Sequence, residues 1–183
     1  GDVFADDDIH LDKNPIYRLA KHQMHDFVDA NCDYHSVLDF NCGTGNDIAH
    51  FLQKGCEVFA CDGSAAMLAK AKERFPNVSL YLGGNEKLQE NSFERKRFDL
   101  IYSVIGGFAY VPPREYLREL KVLGKMLNSG GHIAITNFNR HCLADTIYNV
   151  LRLRIDAALF RYSSPKKVAI KNRNYKMYLL TDS

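Results

Sequence analysis

The stretch Val37-Leu38-Asp39-Phe40-Asn41-Cys42-Gly43-Thr44-Gly45-Asn46 limits what this chain can fold into more than any other. A short apolar strand runs into a tight turn. A helix from about residue 47 to 54 follows, with Gly55 as its C-terminal stop. Gly43 and Gly45 can take backbone angles that side chains forbid, and they let a ligand approach the main chain closely. Asn41 is one of the few other residues that tolerates a left-handed conformation. Strand, turn and helix in this order predict an α/β protein with the turn at the carboxyl end of its first strand, where open sheets bind ligands.

The pattern along the chain extends that expectation. Asn14-Pro15 reads as an N-cap followed by Pro at the first helical position. Ile16, Leu19, Ala20, Met24, Phe27 and Val28 then form one apolar helical face. Strands are predicted over residues 35–40, 57–61, 78–82, 98–103 and 132–136. Ser64 caps a helix carrying Met67, Leu68 and Ala71, which Pro76 closes. A helix over about 114–127 puts Leu117, Leu120, Leu123 and Leu127 on one side, and Asn128-Ser129-Gly130-Gly131 is a turn. Alternating strands and helices predict a mostly parallel sheet covered on both faces, a three-layer αβα arrangement. After Asn139 the alternation weakens to a helix over about 142–160 and a hairpin, 167–170 with 175–180, around Asn172-Arg173-Asn174.

Length and composition place these elements in one domain, 1–183, with residues 1–13 as a flexible acidic tail. Hydrophobic residues at 46% and charged residues at 25% suit a globular core that needs no staples. A formal net charge of +2 announces neither a nucleic-acid nor a membrane partner. No apolar run approaches the roughly 20 residues that cross a bilayer. The acidic start lacks the basic and apolar parts of a signal peptide. Five cysteines without a CxxC pair argue against a zinc site or a disulfide framework, and predict free thiols in a reducing cytoplasm.

A second carboxylate, Asp62, ends the second strand. There it can accept hydrogen bonds from the 2′- and 3′-hydroxyls of a ribose, which dinucleotides and adenosyl sulfonium compounds both carry. Two features separate these ligands. The dinucleotide fingerprint wants Gly or Ala where Ile48 stands. Asp39, just ahead of the turn, would repel a pyrophosphate but suits a cation.

Val37 to Asn46 resembles the first motif of class I S-adenosylmethionine-dependent methyltransferases, and the segment from Glu57 through Asp62 to Leu68 resembles their second. Residues 98–103 resemble the fourth strand, and residues 120–136 the helix, Gly-Gly turn and fifth strand after it. The similarity covers roughly residues 14–140. The region from Gly106-Gly107-Phe108 through Arg140-His141-Cys142 is also similar to a group of small bacterial methyltransferases. The resemblance implies a Rossmann-like fold binding S-adenosylmethionine, with S-adenosylhomocysteine as product. It implies that Asp39, Asn41, Cys42, Gly43 and Gly45 line the methionine end. Asp62 would hold the ribose with Gly63 beside it, and Met67, Gly84, Asn85 and Glu86 would lie around the adenine. Ser103 and Val104 would lie under the sulfonium. Arg18, on the N-terminal helix, is within reach of the cofactor carboxylate by position, though a solvated surface arginine is its commoner reading. The family usually has Gly at Asn41 and often Asp at Gly84, so the adenine amino group would bond to Asn85 or Glu86 instead. The fold usually ends with two further strands, one antiparallel. Either the hairpin plays that part, or the natural chain continues past Ser183.

Methyl transfer from an activated sulfonium needs alignment more than a base. Tyr110, Asn137 and His141, near the carboxyl ends of the fourth and fifth strands, are the candidates to orient or deprotonate an acceptor. Ser103-Val104-Ile105-Gly106 stands where amino-nitrogen methylases often carry an Asn/Asp-Pro-Pro-aromatic loop, and no Cys follows a Pro as in cytosine-carbon methylation. The resemblance implies an acceptor that is a small molecule or still unidentified, with residues from about 141 to 183 as a lid over it. Arg152, Arg154, Arg161, Lys166, Lys167, Lys171, Arg173 and Lys176 stand against Asp156 and Asp182 in that segment. A solvated face is its commoner reading. A phosphate-tracking surface, and with it an RNA acceptor, is the alternative. A non-catalytic S-adenosylmethionine-binding protein is the other.

Overall fold

The first strand, β1 (Ser36–Phe40), is buried at every position, which marks it as the centre of a sheet covered on both faces. The computed structural model describes residues 15–84, 92–104, 107–108, 111–136, 150–151, 153, 166–170 and 173–177. On either side of β1 lie β2 (Glu57–Asp62) and β4 (Phe98–Ser103), and outside them β3 (Ser79–Leu82) and β5 (Leu127–Ile135). The order is β3-β2-β1-β4-β5, and every pairing is parallel. The chain steps outward from β1 to β3, then crosses back to β4 on the other side of β1. Connections therefore leave β1 and β4 in opposite directions, opening a crevice at their carboxyl ends.

Alternation along the strands divides the core. Val37, Leu100 and Tyr102 face one side, with Val28 and Met24 of α1 (Pro15–Asn31), Ile48 and Phe51 of α2 (Ile48–Gln53), and Leu68 and Ala71 of α3 (Ala65–Arg74). Leu38, Phe40 and Ile101 face the other, with Phe108 and Val111 from the connection after β4 and Leu123 of α4 (Pro113–Lys125). Each fully buried Leu, Ile or Phe contributes about 1.5–3 kcal/mol, so these two clusters dominate the stability. Asp99 ties β4 to the start of β1, accepting from the backbone N–H groups of His35 (3.0 Å) and Ser36 (2.9 Å). A bond from Asn128, together with those to His35 and Ser36, overcomes burial and holds its carboxyl down at about 2.

Two helices turn differently from their apolar patterns. Leu19 and Phe27 of α1 are 59% and 58% exposed. The face turned inward is instead Lys21, Met24, His25 and Val28, because Lys21 and His25 find hydrogen-bond partners on the strand side. In α4, Leu117 is exposed, while Leu123 is buried and Tyr116 and Leu120 pack against the core. The expected turn at Asn128–Gly131 falls inside β5 as an irregularity. Pairing jumps from Phe98↔Leu127 to Leu100↔His132, with Gly130 at φ 79°. Gly131 fits because a Cβ there would meet the Phe98 carbonyl oxygen at 2.9 Å.

The C-terminal hairpin also differs from its prediction. It pairs β6 (Lys166–Ile170) with β7 (Arg173–Met177). Arg173 and Asn174 are therefore strand residues, and the reversal lies between Ile170 and Arg173. Among the described residues this hairpin is a separate two-stranded sheet and does not supply the missing strands of the main one. Of the expected helix over 142–160, only Val150 and Leu151 fall among the described helical residues. The four described cysteines are free thiols. No helix among the described residues is long and apolar enough to cross a membrane.

Candidate cofactor site

The turn after β1 has the backbone its residues require: Asn41, Gly43 and Gly45 have φ of 60°, 56° and 82°. Each glycine has a separate reason. At Gly43 the N–H donates to Asp62 Oδ2 at 2.9 Å, which draws the turn towards the end of β2. At Gly45 the constraint is packing rather than ligand approach, since a Cβ there would lie 2.9 Å from Ile48 Cδ1 and 3.2 Å from the Phe75 ring. Cys42 is buried against the core, and its N–H donates to the Cys61 carbonyl at 3.0 Å.

Asp62 does more than the sequence implied. Its Oδ2 accepts from Gly43, and its Oδ1 accepts from the Ser64 N–H at 2.8 Å. A carboxylate has about four lone-pair sites, and ribose hydroxyls are donors of the kind it accepts. Ser64 Oγ in turn accepts from Met67 N at 3.2 Å, the N-cap expected of it. Met67, in the first turn of α3, is half-buried, and Gly63, just ahead of the Ser64 cap, is exposed.

Asn41 is more than a stand-in for glycine. A Cβ on Gly107 would lie 2.5 Å from Asn41 Nδ2, and one on Gly84 would lie 3.4 Å from Asn41 Oδ1. The Asn41 amide thus reaches from the connection after β3 to the connection after β4, across the mouth of the crevice. Gly84 and Gly107 thus present bare backbone to the Asn41 side chain, and Gly63 N lies 3.4 Å from the same Gly84 position.

Asp39 is 2% exposed and lies beside Tyr102 in the β1–β4 register. Ser103, at the end of β4, is buried and Val104 half-buried. Arg18 is exposed on α1. Asn85, Glu86, Tyr110, Asn137 and His141 lie outside the described residues. Acidic groups at the crevice and glycine backbone around it suit a cationic adenosyl ligand and oppose a pyrophosphate.

The braces of the turn carried no sequence signal. Arg74, at the end of α3, donates through Nη1 to the Thr44 carbonyl (2.7 Å) and to Asn46 Oδ1 (2.7 Å). Lys21 Nζ donates to the Asn46 carbonyl at 2.7 Å, and His25 Nε2 is 2.7 Å from Asp47 Oδ1. Partners separated by 22 to 30 residues share no local pattern.

Tyr102 stacks edge-on against Phe51, and its hydroxyl is buried with no hydrogen-bond partner among the described residues. Burial, then the nearby Asp47 and Asp39 charges, pushes its ionisation far up. Tyr102→Phe should leave the melting temperature unchanged or raise it by up to about 4 °C, a gain on the order of 1 kcal/mol. A fall of more than about 4 °C in a thermal melt would mean the hydroxyl holds a bond worth over ~1 kcal/mol.

A five-stranded parallel sheet with a glycine turn at its switch point defines a Rossmann-like ligand-binding domain. Residues 37–131 match the family model described as a methyltransferase domain, and the chain belongs to that family. It is 34% identical over 105 residues to trans-aconitate 2-methyltransferase of Deinococcus radiodurans, covering 56% of this chain and 37% of the relative. It is 31% identical over 103 residues to demethylmenaquinone methyltransferase of Paenarthrobacter aurescens, covering 56% and 38%. The chain thus spans well under half the length of these curated relatives. Among solved structures, the DhpI-SAM-HEP complex superposes with a TM-score of 0.65 at 19% identity, covering 93% of this chain and 74% of that one. DesVI of Streptomyces venezuelae superposes at 0.61 and 22% identity, covering 74% and 57%. These structures share the Rossmann-like methyltransferase fold.

Proposed function

We propose that this chain is a single-domain S-adenosylmethionine-dependent methyltransferase acting on a small-molecule acceptor, with the donor seated at the turn after β1. The observation that carries this reading is the Asn41–Gly43–Gly45 turn, fastened to Asp62 and flanked by Asp39. Family membership supports it, as do structural neighbours that include complexes with SAM and SAH. Asp39 and the backbone of Asn41, Cys42 and Gly43 face the methionine end, with Gly45 shaping the turn and Arg18 at the rim. Asp62 accepts from the ribose, and Gly63, Met67 and Gly84 frame the adenine with Asn85 and Glu86. Ser103 and Val104 form the floor at the reacting end. The bound donor supplies an already activated methyl group. The protein's own work is to align the acceptor and exclude water. Tyr110, Asn137 and His141 are proposed to face the acceptor.

The hairpin is proposed as the acceptor-side lid within the segment from about 141 to 183. Its two strands carry Lys166, Lys167, Arg173 and Lys176, a basic composition that suits an anionic acceptor. The likeness to a trans-aconitate methyltransferase points the same way. Calorimetry with S-adenosylmethionine and S-adenosylhomocysteine tests the donor site directly, and absence of binding refutes the reading. Removing residues 164–183 should lower activity on small carboxylic acids at least tenfold while changing donor affinity less than threefold. Equal loss of both would refute the lid.

A further inference from the structure

The joint between α1 and α2 is a reciprocal exchange of histidine–aspartate hydrogen bonds. His25 of α1 reaches Asp47, at the N-terminus of α2, with 2.7 Å between Nε2 and Oδ1. His50 of α2 reaches back to Asp29 of α1, with 3.3 Å between Nε2 and Oδ1. Between these pairs the two imidazoles stack face to face, with centroids 3.8 Å apart and planes within 6°. Lys21 completes the joint on the inner side, 3.9 Å from Asp47 while donating to the Asn46 carbonyl. Lys54 and Tyr34 complete it on the outer side, both bound to Asp29. Tyr102 of β4 packs against His25 at 5.6 Å, and His22 lies edge-on at 6.5 Å. The partners held on the inner side, Asn46 and Asp47, are the last residues of the glycine turn.

We propose that Lys21, His25 and His50 are positioning residues for the donor site: their clasp holds the turn in its binding shape, and a proton on His50 releases it. The proposal rests on the donor reading above and adds its regulation by acid. A charge on His50 is unfavourable in the closed joint, where its ring stacks on another imidazole at 3.8 Å and the Lys54 ammonium sits on the shared Asp29. Burial, and then the adjacent His25, lowers His50 from its ordinary 6.5 despite Asp29. The closed clasp therefore binds fewer protons than the open one. Its stability is complete above pH 6.5 and declines as the pH falls below that value. Only the closed state binds donor well, so apparent affinity falls with the closed fraction.

The test is calorimetric titration with S-adenosylhomocysteine, whose own groups do not titrate between pH 5.5 and 7.5. In the wild type the Kd should rise about three- to tenfold from pH 7.5 to 5.5, tenfold being the limit for one proton of ordinary pKa. His50→Gln keeps an amide at the Nε2 position but cannot titrate, and it should cut that ratio to less than half the wild-type value. A merely structural His50 would lower the melting temperature of the variant without flattening this profile. A wild-type ratio below threefold, or a His50→Gln ratio above half the wild-type value, overturns the clasp. Should His50→Gln not fold, the wild type decides alone. Titrations at pH 6.0 in two buffers of different ionisation enthalpy should show net proton release on binding, and zero release overturns the proposal. Binding that is flat in pH refutes this inference alone, whereas no binding at pH 7.5 refutes the donor reading and this inference with it.

Discussion

Asp62→Ala is expected to weaken S-adenosylhomocysteine binding about 100-fold or more, close to 3 kcal/mol. Two effects add. Hydrogen bonds from ribose hydroxyls to a carboxylate are each worth about 1.5–3 kcal/mol. The same substitution frees the Gly43 and Ser64 N–H groups, so the turn loses its tie to β2. The effects separate experimentally. Loosening the turn lowers the melting temperature and weakens all adenosyl ligands alike. Loss of the ribose contact also erases the preference for S-adenosylhomocysteine over its 2′-deoxy and 3′-deoxy analogues. Calorimetry on both proteins with these three ligands measures each. If the variant keeps the wild-type preference, Asp62 braces the turn but does not touch the ribose.

Gly45→Val is the largest expected stability effect. At φ 82° an L side chain costs about 1–2 kcal/mol. The new Cβ would sit 2.9 Å from Ile48 Cδ1 and 3.2 Å from two atoms of the Phe75 ring. Overpacking of that kind costs about 1–3 kcal/mol more. At roughly 2–4 °C per kcal/mol for a domain of this size, a fall in melting temperature of about 10 °C is expected. Gly55 supplies the control. Its φ is 79°, yet a Cβ there meets nothing within 4 Å. Gly55→Ala should therefore show the backbone cost alone, about 1–2 kcal/mol. If both substitutions shift the melt equally, Ile48 and Phe75 yield and packing does not set the residue at 45.

Much of the architecture was legible because it rests on local rules. Gly43, Gly45 and Asn41 announced a left-handed turn, and all three have positive φ. Ser64 announced its cap, and alternation of strands and helices announced the parallel sheet. Apolar counting failed where polar partners outweighed it. In α1 the pattern favoured Leu19 and Phe27, but the helix turns Lys21 and His25 inward because Asn46 and Asp47 wait there. The hairpin boundary failed because Arg173 and Asn174 look like a turn and are paired instead.

From the sequence alone came the strand–turn–helix, the acids at 39 and 62, and hence the ligand class, since spacing along one short segment determines what its backbone can do. The tertiary structure alone decided that Asp62 ties down the turn it follows and that Asn41 spans two other connections. It also decided that two histidines 25 residues apart stack against each other. Such pairings depend on how α1 lies across the sheet. That docking is the balance of many weak long-range contacts, which no single stretch of residues encodes.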